Sequence, residues 1–77
     1  MNKPYIQVIA KHDTRGNIKP LSLEWTDGRI FEIDKVLDVR QAASLKVGGW
    51  GTRYTCRILG KQVYLFCVNG KWFVEKQ

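Results

Sequence analysis

Gly48-Gly49-Trp50-Gly51-Thr52-Arg53-Tyr54 gathers three glycines, an indole ring and an arginine within seven residues. Glycines let backbone N–H groups approach an anion closely, an aromatic ring can stack on a nucleobase, and a guanidinium can take a phosphate. In this reading Gly48, Gly49 and Gly51 close over a ligand, Trp50 and Tyr54 stack, and Arg53 and Arg57 neutralise charge. Arg53 and Arg57 lie on one alternating segment and project from the same face, about 13 Å apart at ~3.3 Å per residue. That separation suits two phosphate or ribose contacts better than one shared ion, and Arg40 joins them if its strand runs alongside. The competing reading is a flexible connector, with Trp50 as a stray ring or a plug for a barrel end and each arginine as solvated charge.

The surroundings of this stretch favour an anionic partner. From Val39 to Val74 the chain carries Arg40, Lys46, Arg53, Arg57, Lys61 and Lys71 and no carboxylate, so this segment holds the whole formal charge of +6. Basic and acidic side chains balance in residues 1–38 and again in the last three residues. A chain polarised in this way is expected to present one cationic face.

Enzyme constellations are scarce. His12 is the single histidine and sits beside Asp13 at a turn, where a solvated pair is the simpler assignment. Ser22 and Ser44 lie in no nucleophile-elbow context. Glu32, Asp34 and Asp38 have the spacing of a metal site, but each has a Lys or Arg close by in sequence. The glycine-rich stretch is neither a GxxxxGK[ST] phosphate loop nor a dinucleotide fingerprint, because no helix follows it. Cys56 and Cys67 are too few for a zinc site and read as free thiols in a reducing compartment. No cofactor and no metal are therefore expected. The N-terminus MNKPYIQVIAK turns polar too early for a signal peptide, and no apolar run reaches about 18 residues, which points to a cytoplasmic protein without membrane contact.

The elements that must position these groups are strands. Ile6, Val8 and Ala10 alternate with Gln7 and Lys11, and Asp13-Thr14-Arg15-Gly16-Asn17 turns the chain. Leu21, Leu23 and Trp25 alternate with Ser22 and Glu24, and Pro20 limits where that strand begins. Thr26-Asp27-Gly28 has the form of a three-residue hairpin loop that pairs Leu23 with Phe31 and Leu21 with Ile33. Residues 34–46 fit a strand or bulged strand through about residue 41, although Val36, Val39 and Ala43 also stand at helical spacing. Tyr54, Cys56 and Ile58 alternate with arginine and threonine, and Leu59-Gly60-Lys61-Gln62 makes the next turn. With Gly60-Lys61 as its two central residues, Cys56 falls opposite Leu65 and Cys67 opposite Tyr54. Asn69-Gly70 is the strongest hairpin signal and pairs Phe66 with Phe73, Cys67 with Trp72 and Leu65 with Val74.

About six short strands at regular spacing make an all-β single domain over residues 1–77, a small, strongly curved antiparallel barrel of the SH3-like or OB-like kind. The unbroken apolar run Val63–Val68 faces both ways, so its outer side needs a covering loop or a second copy, and a homodimer or higher homo-oligomer is expected.

Asp27-Gly28-Arg29-Ile30-Phe31-Glu32-Ile33-Asp34-Lys35-Val36, Ala42-Ala43-Ser44, Gly48-Gly49, Arg53-Tyr54-Thr55 and Tyr64-Leu65-Phe66 together make the chain resemble a family of small proteins from Gram-positive bacteria and their phages. The likeness covers most of the chain but brings no agreed activity with it. In size, basicity and expected oligomerisation the chain is also similar, by type alone, to the phage proteins that sequester nucleotide immune signals. The expected function is accordingly a non-enzymatic module that holds a phosphorylated nucleotide, with a cyclic or ADP-ribose-type signal as one form. A small barrel binding nucleic acid along the same face, and an interaction module for an acidic protein, are the alternatives.

Overall fold

The computed structural model describes residues 5–43 and 49–75. It is an all-β structure of seven antiparallel strands: β1 (Tyr5–His12), β2 (Ile18–Glu24), β3 (Ile30–Glu32), β4 (Lys35–Ala43), β5 (Trp50–Ile58), β6 (Lys61–Val68) and β7 (Lys71–Glu75). They form one sheet in the order β3-β2-β1-β7-β6-β5-β4. The first and last strands of this order are consecutive in sequence. Ile33 and Asp34, which join them, reach both ways: Ile33 N–H donates to Leu21 O and Asp34 N–H to Arg57 O, each at 2.9 Å. These two bonds curl the sheet into a strongly bent half-barrel.

The concave side is the core. Leu23, Tyr54, Cys56, Ile58 and Leu65 are buried there, flanked by Ile6, Val8, Val63 and Trp72. Tyr54 and Trp72 pack with ring centroids 5.4 Å apart. On the convex side Phe66 and Phe73 stack at 5.3 Å, and Tyr5 meets Phe73 edge-on at 6.1 Å. Both phenylalanines are buried within a single chain. The outer rings of β6 and β7 are therefore covered without a second copy.

Two turns follow the sequence closely. Leu23 pairs with Phe31 across the Thr26-Asp27-Gly28 loop, where Gly28 takes φ +88° and its N–H donates to Trp25 O. Asn69 and Gly70, both at positive φ, set Phe66 against Phe73, Cys67 against Trp72 and Leu65 against Val74. Asp13 organises the first turn by accepting from the backbone N–H groups of Arg15 and Asn17 at 2.8 and 2.9 Å.

Three details differ from the sequence reading. There are seven strands instead of about six, with Ile33 and Asp34 separating β3 from β4. β2 starts at Ile18 and contains Pro20, which is buried beside a bulge between Ile9 and Ala10, a place where its missing N–H is tolerated. The β5–β6 turn is centred on Leu59-Gly60, not Gly60-Lys61, so Cys56 faces Val63 and Cys67 faces Thr52. Both cysteines are free. β4 is a strand with a register shift between Val36 and Asp38, and of residues 34–46, those from Ser44 onward lie outside the described residues.

Candidate anion-binding face

Residues directly opposite each other in a ladder share one face of the sheet. Arg40 of β4 is opposite Arg53 of β5, and Lys35 is opposite Arg57. Thr55 continues to Tyr64 and Glu75, and Arg53 to Phe66, Phe73 and Tyr5. The convex face of β4 to β7 thus brings together Lys35, Arg40, Arg53, Arg57 and Lys71, with Asp38 and Glu75 as its carboxylates.

Two of the cations rest on rings. The Arg53 Cζ lies 4.5 Å from the centroid of Tyr64, and the Lys71 Nζ lies 5.3 Å from that of Tyr5. The Arg53 Nε is buried and has no hydrogen-bond partner. Such a donor carries a cost in free energy unless a further acceptor meets it. Arg40 instead donates from Nε to Asp38 Oδ2 at 2.6 Å. That hydrogen bond holds the Asp38 carboxyl below the usual carboxylate range and raises the Arg40 guanidinium. Because both side chains are largely exposed, solvent screening leaves the pair weak, and an incoming phosphate can compete for Arg40.

The structure places the other members of the glycine-rich stretch elsewhere. Tyr54 is only 4% exposed, so its ring belongs to the core and is not available for stacking on a base. Burial also raises its hydroxyl pKa. Trp50 is 72% exposed but alternates with Gly51 and Arg53, which puts it on the opposite side of β5 from the arginines. Gly51 has a structural reason: a Cβ there would lie 2.5 Å from Val68 Cγ2 and 2.6 Å from Cys67 O, so the glycine lets β5 approach β6. Gly49 takes φ +82° at the entrance to β5. Gly48 lies outside the described residues.

Tyr64, Tyr5 and Lys35 join the face although the sequence reading did not single them out, and Lys71, counted there only among the basic residues of the segment, joins them over the Tyr5 ring. The signal for Tyr64 was present, since it has the same parity as Phe66 on a strand whose register Asn69-Gly70 sets. Lys35 needed the β4 bulge to be placed. Comparison of the chain with protein-family models, curated proteins and solved structures gives no match. Its chemistry is therefore read from the residues themselves.

Two clefts lie apart from this face. A cleft of about 230 Å³ at one end of the half-barrel has an apolar wall of Leu23, Trp25, Phe31, Ile58 and Val63, with Lys61 as its one charged lining residue. A cleft of about 480 Å³ at the other end is lined by neutral groups including Asn17, Gln41, Thr52 and Tyr54. Among the described residues no group of three or more His, Cys, Asp or Glu could hold a metal ion, and Glu32, Asp34 and Asp38 do not converge. No helix among them is long and apolar enough to cross a membrane.

Proposed function

We propose that the chain is a non-enzymatic module that binds a single-stranded nucleic acid along the convex face of β4 to β6. The observation that carries this reading is the side-by-side placement of Arg40 and Arg53, with the Arg53 guanidinium on the Tyr64 ring and Arg57 four residues further along β5 beside Lys35. Phosphates meet the guanidinium row, and bases stack on Tyr64 at its flank. The face is open, which suits a strand passing across it better than one enclosed nucleotide. With Tyr54 in the core and Trp50 on the other side, a closed nucleotide pocket built on the glycine loop has lost both of its stacking rings.

The second reading keeps the same cations for a small phosphorylated ligand, such as a cyclic or ADP-ribose-type immune signal. It is favoured by Arg40 and Arg53 standing directly opposite each other across the β4–β5 ladder, close enough for one phosphate to take a hydrogen bond from each.

Salt separates the two. Fluorescence anisotropy with a labelled oligothymidylate should give a log K against log salt slope of about −0.7 for each phosphate contacted. Arg57→Ala and Arg53→Ala should each weaken binding and flatten the slope by about 0.7. Absence of binding at low salt, or arginine variants that bind as the parent does, would reject the strand reading. A thermal shift with a mono-, cyclic or ADP-ribose nucleotide and little salt dependence would instead support the second.

A further inference from the structure

β4 is the last strand of the sheet, and among the described residues no strand pairs with its other edge. It is nine residues long, and Val39, 53% exposed, stands midway along it with its side chain on the concave side, lining the cleft shared with Asn17 and Gln41. An unpaired row of backbone N–H and C=O groups is a template for another strand. Proteins usually blunt such edges with charge and bulges. Here the bulge at Leu37 limits the regular ladder to a few residues, but the charges form a pattern that can pair with itself.

We infer that two copies of the chain associate by pairing their β4 strands antiparallel across a two-fold axis at Val39. In that register Val39 faces Val39, Leu37 faces Gln41, and Asp38 of each copy faces Arg40 of the other. The Asp38–Arg40 pair that now closes within one chain at 2.6 Å would then be joined by its two-fold equivalent into a network of two carboxylates and two guanidiniums. Alternative registers that keep the convex faces continuous are penalised. A slip of two residues in one direction sets Asp38 against Asp38, and in the other Arg40 against Arg40, and like charges directly opposite destabilise a ladder. The interface is isologous, as a closed dimer requires. Its occupant is a second copy because the signs along β4 are complementary to β4 itself. The inference is independent of which anion the convex face binds.

The test uses charge exchange on the full chain, by sedimentation equilibrium and native mass spectrometry. The parent, 8.9 kDa as a single chain, should approach twice that mass as concentration rises. The contact is short, so the transition is expected in the micromolar to millimolar range. Asp38→Arg alone places arginine against arginine, and Arg40→Asp alone places aspartate against aspartate. Each should stay monomeric where the parent is dimeric, with its fold checked by circular dichroism. Mixed in equal amounts, the two should form a heterodimer, an outcome that loss of the ion pair within one chain cannot produce. Val39→Lys, at the axis, should also be monomeric. A parent that stays at single-chain mass throughout, a mixture that remains monomeric, or single variants that dimerise like the parent would each overturn the proposal.

Discussion

At the scale of single residues, Cys56 is the group whose chemistry the fold changes most. It sits on the core side of β5 without exposure, and burial pushes its thiol up to about 11 from an ordinary 9.0. The neutral thiol is the form the core accepts. Below pH 9.0 it is protonated in folded and unfolded chains alike, and the full stability is present. Between 9.0 and about 11 the unfolded chain loses its proton while the folded one keeps it, so stability falls as pH rises through that window. Urea melts at a series of alkaline pH values should show the fall, and Cys56→Ala should remove part of it. A flat profile would mean the thiol is not desolvated. The glycine-rich stretch teaches the same lesson in reverse. Its composition reads as a ligand loop, yet Gly51 is explained by Val68 and Cys67 and Tyr54 by Trp72. A glycine needed for strand approach and one needed for ligand approach look alike in sequence, because both mean only that a Cβ has no room.

At the scale of elements, two hairpins of the same kind differ in how well their residues fit. Asn69-Gly70 and Leu59-Gly60 both place two consecutive residues at positive φ, 52° and 78° in the first, 52° and 75° in the second. Asparagine tolerates that conformation, whereas leucine at such a position is strained by roughly 1–2 kcal/mol. Leu59 is also 73% exposed, so little packing offsets the strain. Leu59→Asn should therefore raise stability by about 1 kcal/mol in a thermal or urea melt. A lower melting temperature would show that Leu59 contributes more to the apolar cleft beside Trp25 than its exposure suggests. The same mismatch hides this turn in the sequence: with leucine an improbable positive-φ residue, Gly60-Lys61 reads as the better pair. The resulting slip of two residues in β6 moves each cross-strand partner but leaves every side chain on its own face. That is why the shared face of Arg53 and Arg57 was legible while the position of Tyr64 beside Arg53 was not. Pro20 was misleading for a different reason, since the bulge that accommodates it has no signature in composition.

At the scale of the whole molecule, the segregation of charge along the chain becomes a segregation in space. The sheet order keeps β7, β6, β5 and β4 contiguous, so Arg40, Arg53, Arg57 and Lys71 share one convex wall with Asp38 and Glu75, while Lys61, opposite Ile58, lies on the other side and the balanced strands β1 to β3 lie beyond. Curvature and the all-β class were readable from strand lengths and turns. The closing corner at Ile33-Asp34 was not, because two backbone hydrogen bonds leave no mark on side-chain pattern. The way the wall and the balanced strands meet governs assembly of the molecule in time. β4 through β7 are built from successive hairpins, whereas β1 joins β7 through pairs such as Tyr5 with Phe73 and Ile6 with Trp72, from opposite ends of the described chain. Bringing such distant segments together has a large loop-closure penalty, so this seam should form after the rate-limiting barrier. In stopped-flow measurements Ile6→Val should speed unfolding and leave refolding nearly unchanged, while Leu65→Ala should slow refolding. The cationic wall would then exist before the N-terminal strands have docked, and a polyanion present while the full chain refolds meets it on a half-folded molecule.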